Sequence, residues 1–197
     1  MEVGADIPPG LDADGEGGVR DSILPDTTKD ATAIPSVLFV TSAVYRPGVD
    51  FHGIAEADQI CLQASKKAKL TGTILALLSD TTTNAATRAT LGYPVETTNG
   101  SVIAVTDLFS GAGIVNRIRD ENGALSVNIA WTGSNEYGIN PNGSSVLQHC
   151  NNWLAWQTTH RGKTGLSSST GSDWLGNSST GAPLCNNSAA LYCVSVP

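Results

Sequence analysis

Apolar residues in this chain fall into short runs separated by long polar stretches, and the first clear run begins after residue 35. Val37-Leu38-Phe39-Val40 is apolar on both faces, the pattern of a buried strand. From 53 to 69 the period changes. Ile54, Ala57, Cys61, Ala64 and Ala68 recur at steps of three and four, with Glu56, Asp58, Gln59, Lys66 and Lys67 on the opposite face. That spacing predicts an amphipathic helix. Lys66, Lys67 and Lys69 crowd its last turn, where the helix dipole favours cations, and Gly72 suits its cap. Ile74-Leu75-Ala76-Leu77-Leu78 reads as a second strand, and Asp80 as the cap of a short helix over 83–90. Val102 to Val105 is another short strand, and Asp107-Leu108-Phe109 a turn or helical start. Val127-Asn128-Ile129-Ala130-Trp131 and the terminal Leu191–Val196 alternate as strands with one buried face do.

Between 133 and 189 regularity mostly disappears, and Ser, Thr, Asn and Gly dominate. A polar stretch of this length inside a compact domain is characteristically functional or disordered. Trp153, Trp156, Trp174 and two cysteines inside it argue for order. Short strands, one substantial helix, long polar loops and no internal repeat suit a loop-rich β or α+β domain.

Composition separates two parts of the chain. Residues 1–35 hold eight acids (Glu2, Asp6, Asp12, Asp14, Glu16, Asp21, Asp26, Asp30) and two bases (Arg20, Lys29) among Pro and Gly, and read as an acidic arm or linker. Residues 36–197 carry most of the chain but only −1 of the net charge of −7. A near-neutral domain has no electrostatic footprint for nucleic acid or an anionic membrane. No stretch approaches the roughly 18 apolar residues of a membrane span. The N-terminus has neither a basic start nor an apolar h-region, so a secreted protein would need a signal peptide that these residues do not supply.

Within the arm, Asp12-Ala13-Asp14-Gly15-Glu16-Gly17-Gly18-Val19-Arg20-Asp21 alternates carboxylates as a calcium loop does. Oxygen ligands at every second residue converge on one hard cation, and the glycines permit the curl. Asp12, Asp14, Glu16 and Asp21 are therefore candidate calcium ligands. The segment resembles the acidic calcium repeats of thrombospondin type, with an extra residue before Asp21. As a plain linker it would be a solvated acidic tail.

Four cysteines, Cys61, Cys150, Cys185 and Cys193, point to an oxidising compartment and a disulfide framework. Four cysteines allow three pairings. Catalytic signatures are missing: there is no Gly-x-Ser-x-Gly, His-Glu-x-x-His, phosphate loop or Cys-x-x-Cys. The chain reads as a non-enzyme.

Several of these segments together resemble endostatin, the C-terminal domain of certain collagens. They are His52-Gly53-Ile54-Ala55-Glu56-Ala57-Asp58-Gln59-Ile60-Cys61, then Leu70 to Ser79, Ala130-Trp131-Thr132-Gly133-Ser134, Cys150-Asn151-Asn152-Trp153, and the closing Cys185–Cys193 segment. Their order holds over about residues 36–197, and the chain looks closer to a bacterial extracellular, surface-protein branch of that fold than to the animal protein. The resemblance implies a C-type-lectin-like domain over 36–197 and the pairings Cys61–Cys193 and Cys150–Cys185. Each bridge would contribute on the order of 3–5 kcal/mol by restricting the unfolded chain. Endostatin's N-terminal zinc histidines and arginine-rich heparin face have no counterpart here.

Sugar-binding members of the broader fold carry a Glu-Pro-Asn-like triplet seven residues before the second cysteine, and Asn140-Pro141-Asn142 has that spacing to Cys150. Asn140 replaces the acid, and Gln148 and His149 stand where acids would complete a calcium shell, so the triplet also reads as a Pro-Asn-Gly turn. What remains is a surface over 133–189 rich in Asn, Ser, Thr and Trp, residues suited to adaptable recognition. Trp156, Trp174, Asn140, Asn142, Asn151 and Asn152 are its candidate ligand-binding residues. Trp131 and Trp153 match fold-defining positions and are expected in the core. The expected function is an extracellular or cell-surface recognition or adhesion module for a glycan, matrix or protein partner. The alternative is a structural subunit of a surface assembly or filament, self-associating through residues 1–35.

Overall fold

The computed structural model describes residues 34–141, 148–176 and 182–197. The candidate calcium ligands Asp12, Asp14, Glu16 and Asp21, and also Asn142, lie outside the described residues.

The described chain is a mixed α+β domain. Its elements are β1 (Ser36–Val40), α1 (Ile54–Lys67), β2 (Thr73–Ala76), a single-turn α2 (Ala85–Arg88), β3 (Val95–Glu96), β4 (Val102–Ala104), β5 (Ile129–Trp131), β6 (Thr164–Leu166) and β7 (Ala190–Val196). The strands form one curled sheet in the order β4-β3-β1-β7-β5-β6, with β2 also on β7. The terminal strand is thus the hub. It runs antiparallel to β1 and β2, and its residues Ala190 and Leu191 pair parallel with Ala130 and Trp131 of β5.

Side-chain alternation along β7 divides the interior into two cores. Tyr192 and Val194 face one way, among Leu38, Val40, Leu77, Ile103, Ile118 and Trp174. Leu191 and Cys193 face the other, among Phe39, Ile74, Leu78, Trp131 and Trp153 and under Ala57, Cys61 and Ala64 of α1. Each fully buried Leu, Val or Phe contributes roughly 1.5–3 kcal/mol relative to exposure.

The predicted helix and the five predicted strands all have counterparts, with boundaries that shift for local reasons. Helix α1 ends before Gly72. Ala68 is its C-cap, Lys69 takes the left-handed conformation at φ 56°, and the amides of Lys69 and Leu70 donate to the carbonyls of Lys66 and Ser65. This is a Schellman ending with lysine where glycine is usual. Gly72 serves another purpose: at φ 92° it lets the chain pass beside β7, where a Cβ would lie 3.0 Å from the Val196 carbonyl oxygen. The helix expected over 83–90 is the single turn 85–88. Asp80 caps the turn before it, its Oδ1 accepting from the Thr82 and Thr83 amides at 2.8 Å each, while the Ser79 hydroxyl accepts from Ala85 N. The short strands β3 and β6 are additions that no hydrophobic run announced.

Both disulfides are formed, Cys61–Cys193 and Cys150–Cys185. The first ties α1 to β7. The second closes the irregular segment, where His149 and Leu184 each make a β-bridge with the Arg161–Gly162 strip between them. Gly162 is required there. A Cβ would come within 2.8 Å of both the Cys150 sulfur and the Trp131 ring.

Candidate functional site

The least ordinary backbone in the domain follows His149. Cys150, Asn151, Asn152 and Trp153 have φ of 49°, 53°, 56° and 65°, so the chain completes one turn of left-handed helix. An L-residue in that conformation costs roughly 1–2 kcal/mol, less for asparagine. Asn151 and Asn152 suit the turn by their own chemistry; Cys150 and Trp153 must be held in it.

The holding contacts come from every side. The Cys150 sulfur is bonded to Cys185, and its amide donates to the Arg161 carbonyl at 2.9 Å. The Trp153 indole is fully buried, edge-on to Trp131 at 6.0 Å and tilted against Phe51 at 6.2 Å. Its Nε1 donates to the Ser79 carbonyl at 3.0 Å. Asn152 Oδ1 accepts from the amide and hydroxyl of Thr81, at 3.2 and 3.1 Å. The Asn152 amide donates to Nδ1 of buried His149 at 2.8 Å, so the neutral imidazole carries its proton on Nε2. Strained backbone persists only where its surroundings over-determine it, and such segments cluster at functional sites.

This clamp leaves three side chains in solvent. Asn151 stands on the turn itself, Leu154 follows it, and Trp156 is 55% exposed. The backbone of the neighbouring 46–51 loop presses against the same segment. A Cβ on Gly48 would lie 2.7 Å from the Leu154 carbonyl oxygen, and the next residue, Val49, is exposed. The clamped turn and the exposed side chains that it carries or that follow it, Asn151, Leu154 and Trp156, make up a ledge with one large aromatic, one aliphatic and one carboxamide group.

The other expected site residues have different roles. Trp174, expected on the binding surface, is only 1% exposed. Its ring packs on Tyr192 at 5.6 Å and its carbonyl accepts the Tyr192 hydroxyl at 2.7 Å. Trp174 closes a 3₁₀ turn over Ser172–Trp174, and Gly165 of β6 lies so close to it that a Cβ there would collide with the Trp174 carbonyl. Asn140 is also withdrawn from the surface. Its amide donates to Asn84 Oδ1 and its Nδ2 to the Asp80 carbonyl, each at 2.9 Å, so it fastens its loop to the 80–84 turn. Asn152 positions the turn through Thr81 and is half-buried. Trp131 and Trp153 are core residues, as their places in the pattern imply. Among the described residues, no group of three or more His, Cys, Asp or Glu is arranged to hold a metal.

A second constellation had no sequence signal. Glu121 is the only buried carboxylate among the described residues. Its two oxygens accept from the amide and hydroxyl of Ser42 at 2.7 and 2.6 Å, and Lys67 Nζ lies 3.5 Å away. Nearby, burial raises the Tyr45 hydroxyl's pKa above the ordinary tyrosine value, and the negative charges of Glu121 and Asp50 push the same way. In sequence Asp120-Glu121-Asn122-Gly123 is a polar turn, which gives no hint that one acid points inward.

Comparison with models of known protein families gives no match, and comparison with curated proteins gives no significant similarity.

Proposed function

We propose that this chain is a C-type-lectin-like recognition domain of a secreted or surface-displayed protein, binding a glycan or an extracellular protein partner on the ledge formed by Asn151, Leu154 and Trp156. One observation carries the reading: four consecutive left-handed residues, Cys150–Trp153, are clamped by a disulfide, a buried indole and four side-chain hydrogen bonds. Rigid presentation lowers the ordering cost of binding. An exposed tryptophan beside amide groups offers a stacking face for a sugar ring or an anchor for a protein contact. The two disulfides agree with an oxidising compartment.

The test is a glycan and matrix-protein array probed with the full chain. Hits weakened tenfold or more by Trp156→Ala, and several-fold by Asn151→Ala, support the ledge. Hits indifferent to both substitutions, with the variants folded, would place recognition elsewhere and reject it.

A further inference from the structure

Beside Glu121 the domain holds a cavity of about 190 Å³, distant in chemistry from the Trp156 ledge. Ala43, Ile60 and Ala64 line its walls, Tyr45, Gln63 and Lys67 add polar groups, and Glu121 borders it. Apolar walls around one buried carboxylate match a flexible aliphatic stem ending in a cation.

The carboxylate is fixed. Ser42 holds both oxygens, yet a carboxylate offers about four acceptor positions and the two Ser42 donors leave the remainder for a cation. Lys67 takes part of that capacity only loosely. It lies 3.5 Å away with its side chain 62% exposed, against 2% for Glu121. A long pair with one partner mostly in water is weakly held and easily displaced.

We propose that this cavity receives one arginine side chain from a protein partner, whose guanidinium pairs with Glu121 while Lys67 swings into solvent. The site is independent of the ledge: it needs no sugar and no part of Trp156.

The experiment titrates the full chain with the peptide acetyl-Gly-Arg-Gly-amide at low salt, followed by amide chemical shifts. The citrulline peptide serves as a neutral isostere and n-propylguanidinium as the free cation. Saturable shifts at Ala43, Tyr45 and Ala64 with the arginine peptide, and none with citrulline, are expected. Lys67→Ala should tighten binding at least threefold by removing the competing ammonium, and Glu121→Gln should abolish it. Ala43→Leu fills the cavity from an exposed position, so it tests occupancy even if the Glu121 variant does not fold, and it too should abolish binding. Equal response to arginine and citrulline, shifts that map elsewhere, or unaltered binding by Ala43→Leu would overturn the proposal. Binding of propylguanidinium without the arginine peptide would overturn its assignment to a protein partner.

Discussion

The indole nitrogen of Trp153 donates to the carbonyl of Ser79 at 3.0 Å, joining residues 74 apart in sequence. The bond ties the left-handed turn to the chain leaving β2, and it does so from inside the core. Ser79 is equally committed: its hydroxyl lies 2.8 Å from that of Ser134 and accepts from Ala85 N. One side chain thus secures both the packing of the second core and the pose of the ledge above it.

Trp153→Ala should destabilise the domain by about 3–5 kcal/mol, the range for deleting a buried large aromatic. Trp153→Phe keeps much of the volume but strands the Ser79 carbonyl, an expected loss of about 1–3 kcal/mol. Urea unfolding of the oxidised protein measures both. Equal, small losses from the two substitutions would show that the indole is not the clamp described.

Gly162→Ala pushes a methyl into the Cys150 sulfur and the Trp131 ring, each 2.8 Å from the new atom and neither free to retreat. The expected cost is about 1–3 kcal/mol. Gly100→Ala is the control. At φ 79° with no atom within 4 Å, it meets strain alone, and about 1 kcal/mol is expected. A thermal denaturation series that ranks Gly100→Ala as the worse of the two would contradict the packing.

The two disulfides should separate stability from recognition. Cys61 and Cys193 are 132 residues apart, Cys150 and Cys185 only 35. Restriction of the unfolded chain is then worth about 5 kcal/mol for the first and about 4 kcal/mol for the second. The Cys150→Ala/Cys185→Ala double variant also frees the left-handed turn. It should keep a native-like far-UV spectrum in mild conditions while losing binding that depends on Trp156. The Cys61→Ala/Cys193→Ala variant should lose more stability and, where folded, retain that binding.

Alkaline pH should weaken the fold through Tyr192. Full burial raises its hydroxyl well above the ordinary value of 10.0, so the folded state keeps the proton that the unfolded chain releases. The stabilising contribution is complete below the unfolded pKa near 10 and is lost as pH rises beyond it, by up to about 1.4 kcal/mol per pH unit. Tyr45 and Tyr93 shift in the same direction, also led by burial. Denaturation midpoints between pH 9 and 11.5 should fall for the native protein and fall less steeply for Tyr192→Phe, which carries no proton to lose at that position.

At the acidic end Glu56 acts with the opposite sign. Hydrogen bonds from the amide and ring of His52 hold its carboxyl below the ordinary glutamate value. Whatever it adds is present above the unfolded pKa near 4.3 and disappears as pH falls through the lower folded value. Because the Glu56 side chain is exposed, the effect is expected to be small, and Glu56→Gln should leave the acid midpoint close to that of the native chain.

How much of this could be read in advance differs from element to element. Residues 37–40 and 191–196 announce strands because a buried strand needs consecutive or alternating apolar positions. Residues 54–67 announce a helix because its buried face must recur at 3.6 residues. Those demands are local. Trp156 and Trp174 sit in equally polar, aperiodic surroundings, and nothing in their neighbours says that one faces water and the other the Tyr192 side of the sheet. Asn140 looks as available as Asn151 until the 80–84 turn is placed beside it. Glu121 looks like a solvated turn acid until Ser42 and Lys67 close around it.

By itself, then, the order of residues determined where strands and the long helix form, which cysteines exist to be joined and how neutral the folded part is, since backbone geometry and charge are properties of neighbours in the chain. The handedness of the Cys150–Trp153 turn, the choice of which indole stays exposed and the burial of one carboxylate were decided only by tertiary structure. Each depends on the free energy of groups tens of residues away: a sulfur, a carbonyl or a hydroxyl that must be satisfied once water has been removed.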